Sequence, residues 1–184
     1  SKFLRPFSNA RELLHGLNRW CLWMAGSNFD SRDIQRSLLL KERVSACKEF
    51  RLNSRKKATN ESAKTAHLFQ ENHQPTVPFV AIPRVISESR HFYTVAHLDE
   101  ETIASDALFT ALDPDGFLFA IISSSMFITW QRAVGGHMKS DLRFSNKIVW
   151  NTLPLPEVSD KLRTEIIAAG QGVLDARAEQ PGAS

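Results

Sequence analysis

Residues 127–156 read FITWQRAVGGHMKSDLRFSNKIVWNTLPLP, and this stretch determines how the chain of 184 residues is organised. Three serines at 123–125 precede it and are suited to cap a helix, because their hydroxyl groups accept hydrogen bonds from free backbone amides. Helical spacing of the apolar side chains continues to about Val134, where a pair of glycines ends the pattern. The stretch therefore predicts a helix, a polar loop and, at Ile148–Trp150, a last short strand before an extended exit.

The loop after the glycine pair is basic and rich in small polar side chains. Lys and Arg with Ser and Asn are the side chains that clamp phosphates, and Arg, Asn and Asp can also read guanine, adenine and cytosine. The candidate DNA-binding residues here are Arg132, Lys139, Ser140, Asp141, Arg143, Ser145, Asn146 and Lys147. The alternative is a structural ion pair between Arg143 and Asp141. For the aromatic residues Trp130, Phe144 and Trp150 we expect a place in the core.

A second segment, Ile82 to Tyr93, reads IPRVISESRHFY and repeats this chemistry. Its candidate DNA-binding residues are Arg84, Ser87, Glu88 and Arg90. Two interpretations have equal weight for it. The polar side chains reach into a groove of DNA, or Glu88 pairs with Arg84 or Arg90 across a bend.

The charge of the chain is unevenly distributed. The formal net charge is +3 and the pI about 9.0. Residues 31–64 contain ten Lys or Arg against four acids, which gives +6, whereas residues 99–115 contain six acids and no Lys or Arg. A basic region of this kind is typical of a phosphate-binding surface, and Arg55, Lys56 and Lys57, in the basic stretch that begins at Arg51, are its candidate contacts. The alternative is a solvated helix end.

Helical and strand signals alternate along the rest of the chain without a steady order. Asn9 or Ser8 is expected to cap a helix that Gly16 ends, and Asp30 or Ser31 a long helix whose apolar side chains, from Ile34 to Phe50, are expected to be core. Phe79–Pro83 is expected to be a strand. The turn at Asp113-Pro-Asp-Gly116 predicts two strands, at Ile103–Leu112 and Phe117–Ile122. The last helix should run from Ser159 to about Arg177. The fold class that follows is α+β, or irregular mixed α/β.

Motifs of catalysis are missing from the sequence. It contains no GxGxxG, no Pro-Pro pair, no HExxH, no P-loop and no GxSxG, its six histidines are scattered, and its two cysteines form no zinc pattern. We therefore expect no catalytic, cofactor-binding or metal site in this chain. No apolar run is long enough to span a bilayer and no signal peptide opens the chain, so a cytoplasmic protein with reduced cysteines and no membrane partner is expected.

The two quoted segments resemble the target recognition domain of MmeI-like DNA methyltransferases and restriction–modification enzymes. Residues 130–156 follow that family's pattern of Trp-x-Arg-x-Val-x-Gly, a Lys/Glu-Ser-x-x-Arg-Tyr-Ser turn and Ile-Val-Tyr-Asn-x-Phe-Pro-x-Pro almost position by position. Ile82–Tyr93, Ile103–Ser105 and Arg5–Phe7 with the following Asn18–Trp23 also match. The departures are Phe144, Trp150 and Leu153 in place of Tyr, Tyr and Phe, Asp106 in place of Asn, and His137 in place of Arg.

The resemblance implies a single target-recognition-type domain with a small mixed or antiparallel sheet flanked by helices. Residues 1–25 would be a junction from a catalytic domain, residues 26–157 the recognition domain, and residues 158–184 the start of a C-terminal helical part with a tail. The intact protein would use S-adenosylmethionine to methylate adenine N6 in double-stranded DNA, with or without DNA cleavage. The partners would be duplex DNA and the catalytic domain of the same chain. The rival hypotheses are a protein–protein scaffolding domain and an RNA-binding domain.

Overall fold

The computed structural model describes residues 2–26 and 29–180, and the expected tail beyond residue 180 lies outside them. The strands are β1 Leu4–Ser8, β2 Trp20–Leu22, β3 Phe79–Pro83, β4 Val85–Ile86, β5 Ala96–Leu98, β6 Ile103–Ala104, β7 Leu108–Leu112, β8 Gly136–Met138 and β9 Asp141–Arg143. The helices are α1 Ala10–His15, α2 Ser31–Arg36, α3 Leu38–Leu52, α4 Lys57–Glu61, α5 Phe117–Ile122, α6 Ser125–Val134 and α7 Asp160–Glu179. In this part of the chain no helix is long and apolar enough to cross a membrane.

These elements form three small sheets, of order β2-β1-β6, β5-β3-β7 and β4-β9-β8. The second and third are antiparallel, whereas β1 and β6 pair in parallel. Helices and short strands are thus mixed without a regular βαβ alternation, and the α+β prediction is confirmed.

The chain divides into two compact units. The first, called the helical unit here, holds Ser1–Arg5 and Cys21–His73; the second, called the sheet unit, holds Pro6–Trp20 and Gln74–Ser184. The division arises because the segment that contains α2, α3 and α4 makes most of its contacts within itself.

In the helical unit the prediction of a single long helix is wrong, because the segment forms two helices, α2 and α3. Asp30 caps α2 as expected, accepting a hydrogen bond from the Arg32 amide at 2.9 Å. Ser37 then adopts an extended conformation (φ −126°, ψ 114°) and caps a second helix, α3, through the Leu40 amide. A serine hydroxyl competes for backbone amides and so restarts the helix there.

The apolar side chains of these two helices are not core, which overturns a second expectation. No residue of α2 or α3 is buried, and Leu38 and Phe50 are 71% and 76% exposed. The side chains of the predicted stripe that are half-buried are Ile34, Leu40, Val44 and Cys47. The buried apolar side chains of this unit are Phe3, Met24, Ala63 and Ala66. Periodicity specifies which side chains share a helix face, but burial requires another element to cover that face.

In the sheet unit the core lies around the fully buried β3, which is the central strand between β5 and β7. Tyr93 is completely buried, its hydroxyl donates to the Pro83 carbonyl at 2.7 Å, and burial raises the pKa of this phenol above its usual value. Tyr93, Phe127 and Phe144 meet edge to face or tilted in this core. The packing joins the segment after β4 to α6 and β9.

Two strands predicted from the sequence are helical instead. Phe117–Ile122 is α5, because the buried Asp113 carboxylate accepts hydrogen bonds from the Leu118 and Phe119 amides at 2.9 and 2.8 Å. Ile148–Trp150 lies in a π-helical turn, Asn146–Trp150, which Ser145 caps by accepting a hydrogen bond from the Ile148 amide. A short apolar run does not by itself distinguish a strand from one helical turn.

The remaining helix predictions are confirmed by their caps. Asn9 begins α1 with a capping box that uses Glu12, and Gly16 ends it at φ +61°. Ser124 caps α6 and Ser159 caps α7.

Candidate functional site

The two polar segments singled out from the sequence meet in one sheet. Strands β8 and β9 form a hairpin in which Met138 faces Asp141, so that Lys139 and Ser140 are its two loop residues. On the other edge of β9, Val85 pairs with Arg143 and Ile86 with Leu142. The β4-β9-β8 sheet thus joins Val85 and Ile86 of the first segment to the hairpin of the second.

Basic side chains of this sheet and of the turn that follows it are exposed and unpaired. Within residues 2–26 and 29–180, no hydrogen bond or ion pair engages the side chains of Lys139, Arg143 or Lys147. The alternative of a structural Arg143–Asp141 ion pair is therefore not what the structure shows. Lys139 has φ +59° at the hairpin tip, a region that few residues other than glycine adopt.

The strand that carries Arg143 is fixed from behind by a buried glutamine. Gln131 is completely buried in α6, and its Nε2 donates to the Arg143 carbonyl at 3.0 Å. A Cβ on Gly135 would overlap the Gln131 amide, so glycine is needed for this close approach. Our sequence reasoning missed Gln131; the signal was a polar residue four positions after Phe127, on the core-facing side of the helix.

Arg132 and Arg90 use part of their donor capacity within the protein. Nη2 of Arg132 donates to the Glu88 and Arg90 carbonyls at 3.2 and 2.8 Å. Nη1 of Arg90 donates to Thr94 Oγ1 at 3.1 Å, and Nη2 to the Leu14 carbonyl at 3.4 Å. These two arginines hold the segment after β4 against its neighbours.

The proposed bend pairing of Glu88 is absent. Arg84 stacks over the Phe109 ring at 4.7 Å from its centroid, and Glu88 is exposed without an ion pair in the described chain. Glu88 is thus left as an exposed acceptor.

The small polar residues divide into two groups. Ser145 caps the π-helical turn, Asn146 accepts from the Lys147 amide at 3.0 Å, and the Ser87 hydroxyl lies 3.0 Å from that of Ser89. Ser140 and Asp141 have no side-chain hydrogen bond among the residues that the structure describes. The hairpin therefore presents a cation, a hydroxyl and a carboxylate in succession.

Arg55, Lys56 and Lys57 belong to the helical unit and are not brought into the unit that holds the hairpin. All three are exposed, and Lys57 lies 3.9 Å from Glu61 one turn later. Arg51, just before them, instead donates to the Ser62, Thr65 and Leu68 carbonyls and holds that unit together. The basic stretch stays a separate prediction.

The aromatic residues of the deciding stretch pack as expected. Phe144 is buried, while Trp130 and Trp150 are partly buried against the same core. Trp130 Nε1 also donates to the Val149 carbonyl at 3.0 Å, which ties α6 to the π-helical turn.

Comparison with known proteins bears on what this arrangement is. The chain is 33% identical over 180 residues to DNA methyltransferase A of Bacillus subtilis (strain 168). The alignment covers 98% of the chain but 20% of that relative. The chain superimposes with a TM-score of 0.88, at 33% identity, on a structure described as type IIL restriction-modification enzyme MmeI in complex with DNA. That match covers all of the chain and 24% of the solved one, so the chain spans a fifth to a quarter of the length of these proteins.

The family model for the MmeI target recognition domain matches residues 1–157, which is most of the chain. The quoted segments at 82–93 and 130–156 lie inside the matched region, and the structural match extends over the whole chain. The chain belongs to the MmeI target recognition domain family.

Proposed function

We propose that this chain binds duplex DNA and reads its sequence for a restriction–modification methyltransferase. The β8-β9 hairpin carries the proposal, because it exposes Lys139 and Arg143 with no partner among the described residues, while the buried Gln131 fixes the strand beneath them. Unpaired cations on a rigid support are what recognition of a polyanion requires, since ordering long flexible side chains lowers affinity. The solved relative that matches the whole chain was determined with DNA.

The groups of the hairpin match the chemistry of DNA. Lys139 and Lys147 are placed for phosphate contacts, and the planar fork of Arg143 suits either a phosphate or the O6 and N7 acceptors of guanine. Asp141 can accept from a cytosine amino group, and the amide of Asn146 can pair with adenine. Ser140, Ser145, Ser87, Glu88 and the arginines 84, 90 and 132 complete the proposed surface.

Catalysis would belong to the rest of the intact protein. There a catalytic domain would bind S-adenosylmethionine and methylate adenine N6, with the target base turned out of the duplex. The chain described here would supply the contacts that determine which adenine is presented, and it would have no methyltransferase activity of its own. The proposal includes a cytoplasmic location for the protein.

The test is a pair of measurements on matched variants. Arg143→Ala should change the melting temperature little, because surface substitutions of this kind usually cost under about 0.5 kcal/mol. Its DNA affinity should fall: a lost phosphate contact lowers the salt slope by about one unit, and a lost base contact costs about 1–3 kcal/mol at one position of the site. Lys161→Ala is the control, since this exposed lysine is on α7 and only approaches Glu165.

One result would refute the assignment. If Arg143→Ala lowers the melting temperature and leaves DNA affinity intact, the arginine is a structural residue. A scaffolding domain with an incidental basic surface is distinguished by salt, because DNA affinity should fall steeply as salt rises. Binding that is equal at low and moderate salt would favour the scaffolding alternative.

A further inference from the structure

A groove of about 920 Å³ crosses the sheet unit and begins directly after β4. One wall is the segment Ser87–His97, and the others are α1, through Leu13 and Leu14, and α7, through Leu174 and Arg177. Ser87 and Arg90, which belong to the surface proposed to bind DNA, both line the groove. The groove and that surface therefore share residues.

The charged side chains of this groove are two arginines, Arg90 and Arg177. Among the lining residues that the structure describes, none is Asp or Glu. The apolar side chains of the lining, which include Leu13 and Leu174, form surroundings of low polarity. Positive charges are screened less there than in water.

The two arginines face this groove without a counter-charge. Arg90 donates to Thr94 Oγ1 and the Leu14 carbonyl, and Arg177 Nη1 donates to the Val95 carbonyl at 2.7 Å. All these acceptors are neutral, and no ion pair engages either guanidinium in the described ranges 2–26 and 29–180. Partial burial lowers the pKa of Arg177, and the positive charge of Arg90 lowers it further.

No acid on the neighbouring elements pairs with Arg90 or Arg177 in the described ranges: Glu88 and Glu179 are exposed, and two others are engaged elsewhere. Glu12 on α1 accepts from the Asn9 amide and lies 3.5 Å from Arg19. Asp175 on α7 accepts from Gln171 at 2.7 Å. The repulsion between the two guanidiniums is therefore left for a bound anion to offset.

We infer that Arg90 and Arg177 bind a phosphate of the DNA backbone in this groove, beside the duplex that the hairpin reads. The inference rests on the proposed function and adds a second anchoring point, supplied by α7. A guanidinium makes charge-assisted, bidentate hydrogen bonds to phosphate oxygens. Two guanidiniums on separate elements clamp one phosphate from two sides.

DNA is favoured over an acidic protein segment because the groove and the hairpin share one support. Arg132 donates to the Glu88 and Arg90 carbonyls, so the wall of the groove is held by the same helix whose Gln131 holds Arg143. A phosphate bound in the groove and a base bound at the hairpin would then lie at a fixed distance from each other. Phosphate contacts of this kind orient a protein on the duplex without reading its sequence.

The test compares Arg177→Gln with Lys161→Gln in the chain of 184 residues, using a short mixed-sequence duplex as the probe. Both variants remove one positive charge from α7, but Lys161 does not line the groove. Arg177→Gln should weaken binding about five- to tenfold at low salt and lower the salt slope by about one unit. Lys161→Gln should leave both quantities as in the wild type.

A second variant covers the case in which Arg177→Gln loses its contact to Val95 and unfolds. His91→Glu adds a negative charge at an exposed position of the groove, where the side chain makes no hydrogen bond in the described structure. It should weaken DNA binding at least as strongly as Arg177→Gln, with an unchanged melting temperature.

The outcomes separate the two proposals. If His91→Glu and a folded Arg177→Gln bind as the wild type does while Arg143→Ala binds weakly, the groove inference is overturned and the proposed function stands. The cationic groove would then be the place for an acidic protein segment. If the wild-type chain itself shows no salt-dependent DNA binding, both proposals fail.

Discussion

At the scale of single residues, the site depends on positions where a common residue type is used in an uncommon way. Lys139 occupies a left-handed backbone conformation that glycine adopts more readily than lysine does. Gln131 is buried with its Oε1 unpaired, although its Nε2 has a partner in the Arg143 carbonyl. Both residues lower the free energy of unfolding, Lys139 through its backbone conformation and Gln131 through its unpaired buried oxygen. Such a cost in stability is typical of functional positions.

Lys139→Gly should separate stability from binding. Glycine adopts a positive φ without steric cost, so the free energy of unfolding should stay the same or rise by under about 1 kcal/mol. The variant loses the cation at the hairpin tip, and its DNA affinity should therefore fall. Thermal melting and DNA titration at two salt concentrations measure both effects. A gain in stability with unchanged affinity would mean that Lys139 does not contact DNA.

At the scale of elements, caps and close helix contacts explain most of the differences from the sequence-based predictions. Ser37 interrupts the expected long helix, and Asp113 begins a helix where a strand was expected. Helix α6 then holds β9 of the hairpin through Gln131 and the π-helical turn through Trp130. The bounds and positions of the elements around the site therefore depend on side-chain-to-backbone hydrogen bonds as much as on apolar periodicity.

Trp130→Ala should behave in the opposite way to Lys139→Gly. Removal of the indole takes away a large, partly buried side chain and its hydrogen bond to Val149, so the free energy of unfolding should fall by about 3 kcal/mol. Trp130→Phe is the matched control, because it keeps most of the ring volume and loses the hydrogen bond. Melting curves should rank the wild type above Phe and Phe above Ala. Weakened DNA binding by a fully stable Trp130→Ala would instead make Trp130 a contact residue.

At the scale of the whole molecule, recognition and catalysis are expected to be separable. The chain spans about a fifth of its curated relative (20%) and carries neither a glycine-rich cofactor loop nor a Pro-Pro motif. The division into a junction at 1–25, a recognition domain at 26–157 and a C-terminal part from 158 stays a prediction, because the two compact units divide the chain by contacts and not by function.

The chain alone should not bind S-adenosylmethionine and should bind duplex DNA weakly. A dissociation constant of about 10⁻⁴–10⁻⁶ M, rising steeply with salt, is the range for binding that depends mainly on phosphate attraction. Calorimetry with S-adenosylmethionine and DNA titration across salt concentrations test the two statements. Saturable cofactor binding at micromolar concentration would contradict the first.

The sequence by itself determined the α+β class, most helix starts and the family, because caps, glycine stops and a contiguous motif are local features. Ser159 was identifiable as a cap from the sequence. The other two caps were narrowed to Ser8 or Asn9 and to the serines 123–125, and the structure selects Asn9 and Ser124. It also indicated the chemistry of residues 139–147, since the type of a side chain states what it can bind.

Only the tertiary structure decided which of these groups are available. Arg132 and Arg143 look alike in the sequence, yet Arg132 donates to carbonyls 42 and 44 positions away, whereas Arg143 has no side-chain partner within residues 2–26 and 29–180. The apolar side of α3 was equally ambiguous until its exposure was known. Burial and hydrogen bonding depend on elements distant in the chain, so residue type and spacing specify what a side chain can do, and packing alone specifies what it is free to do.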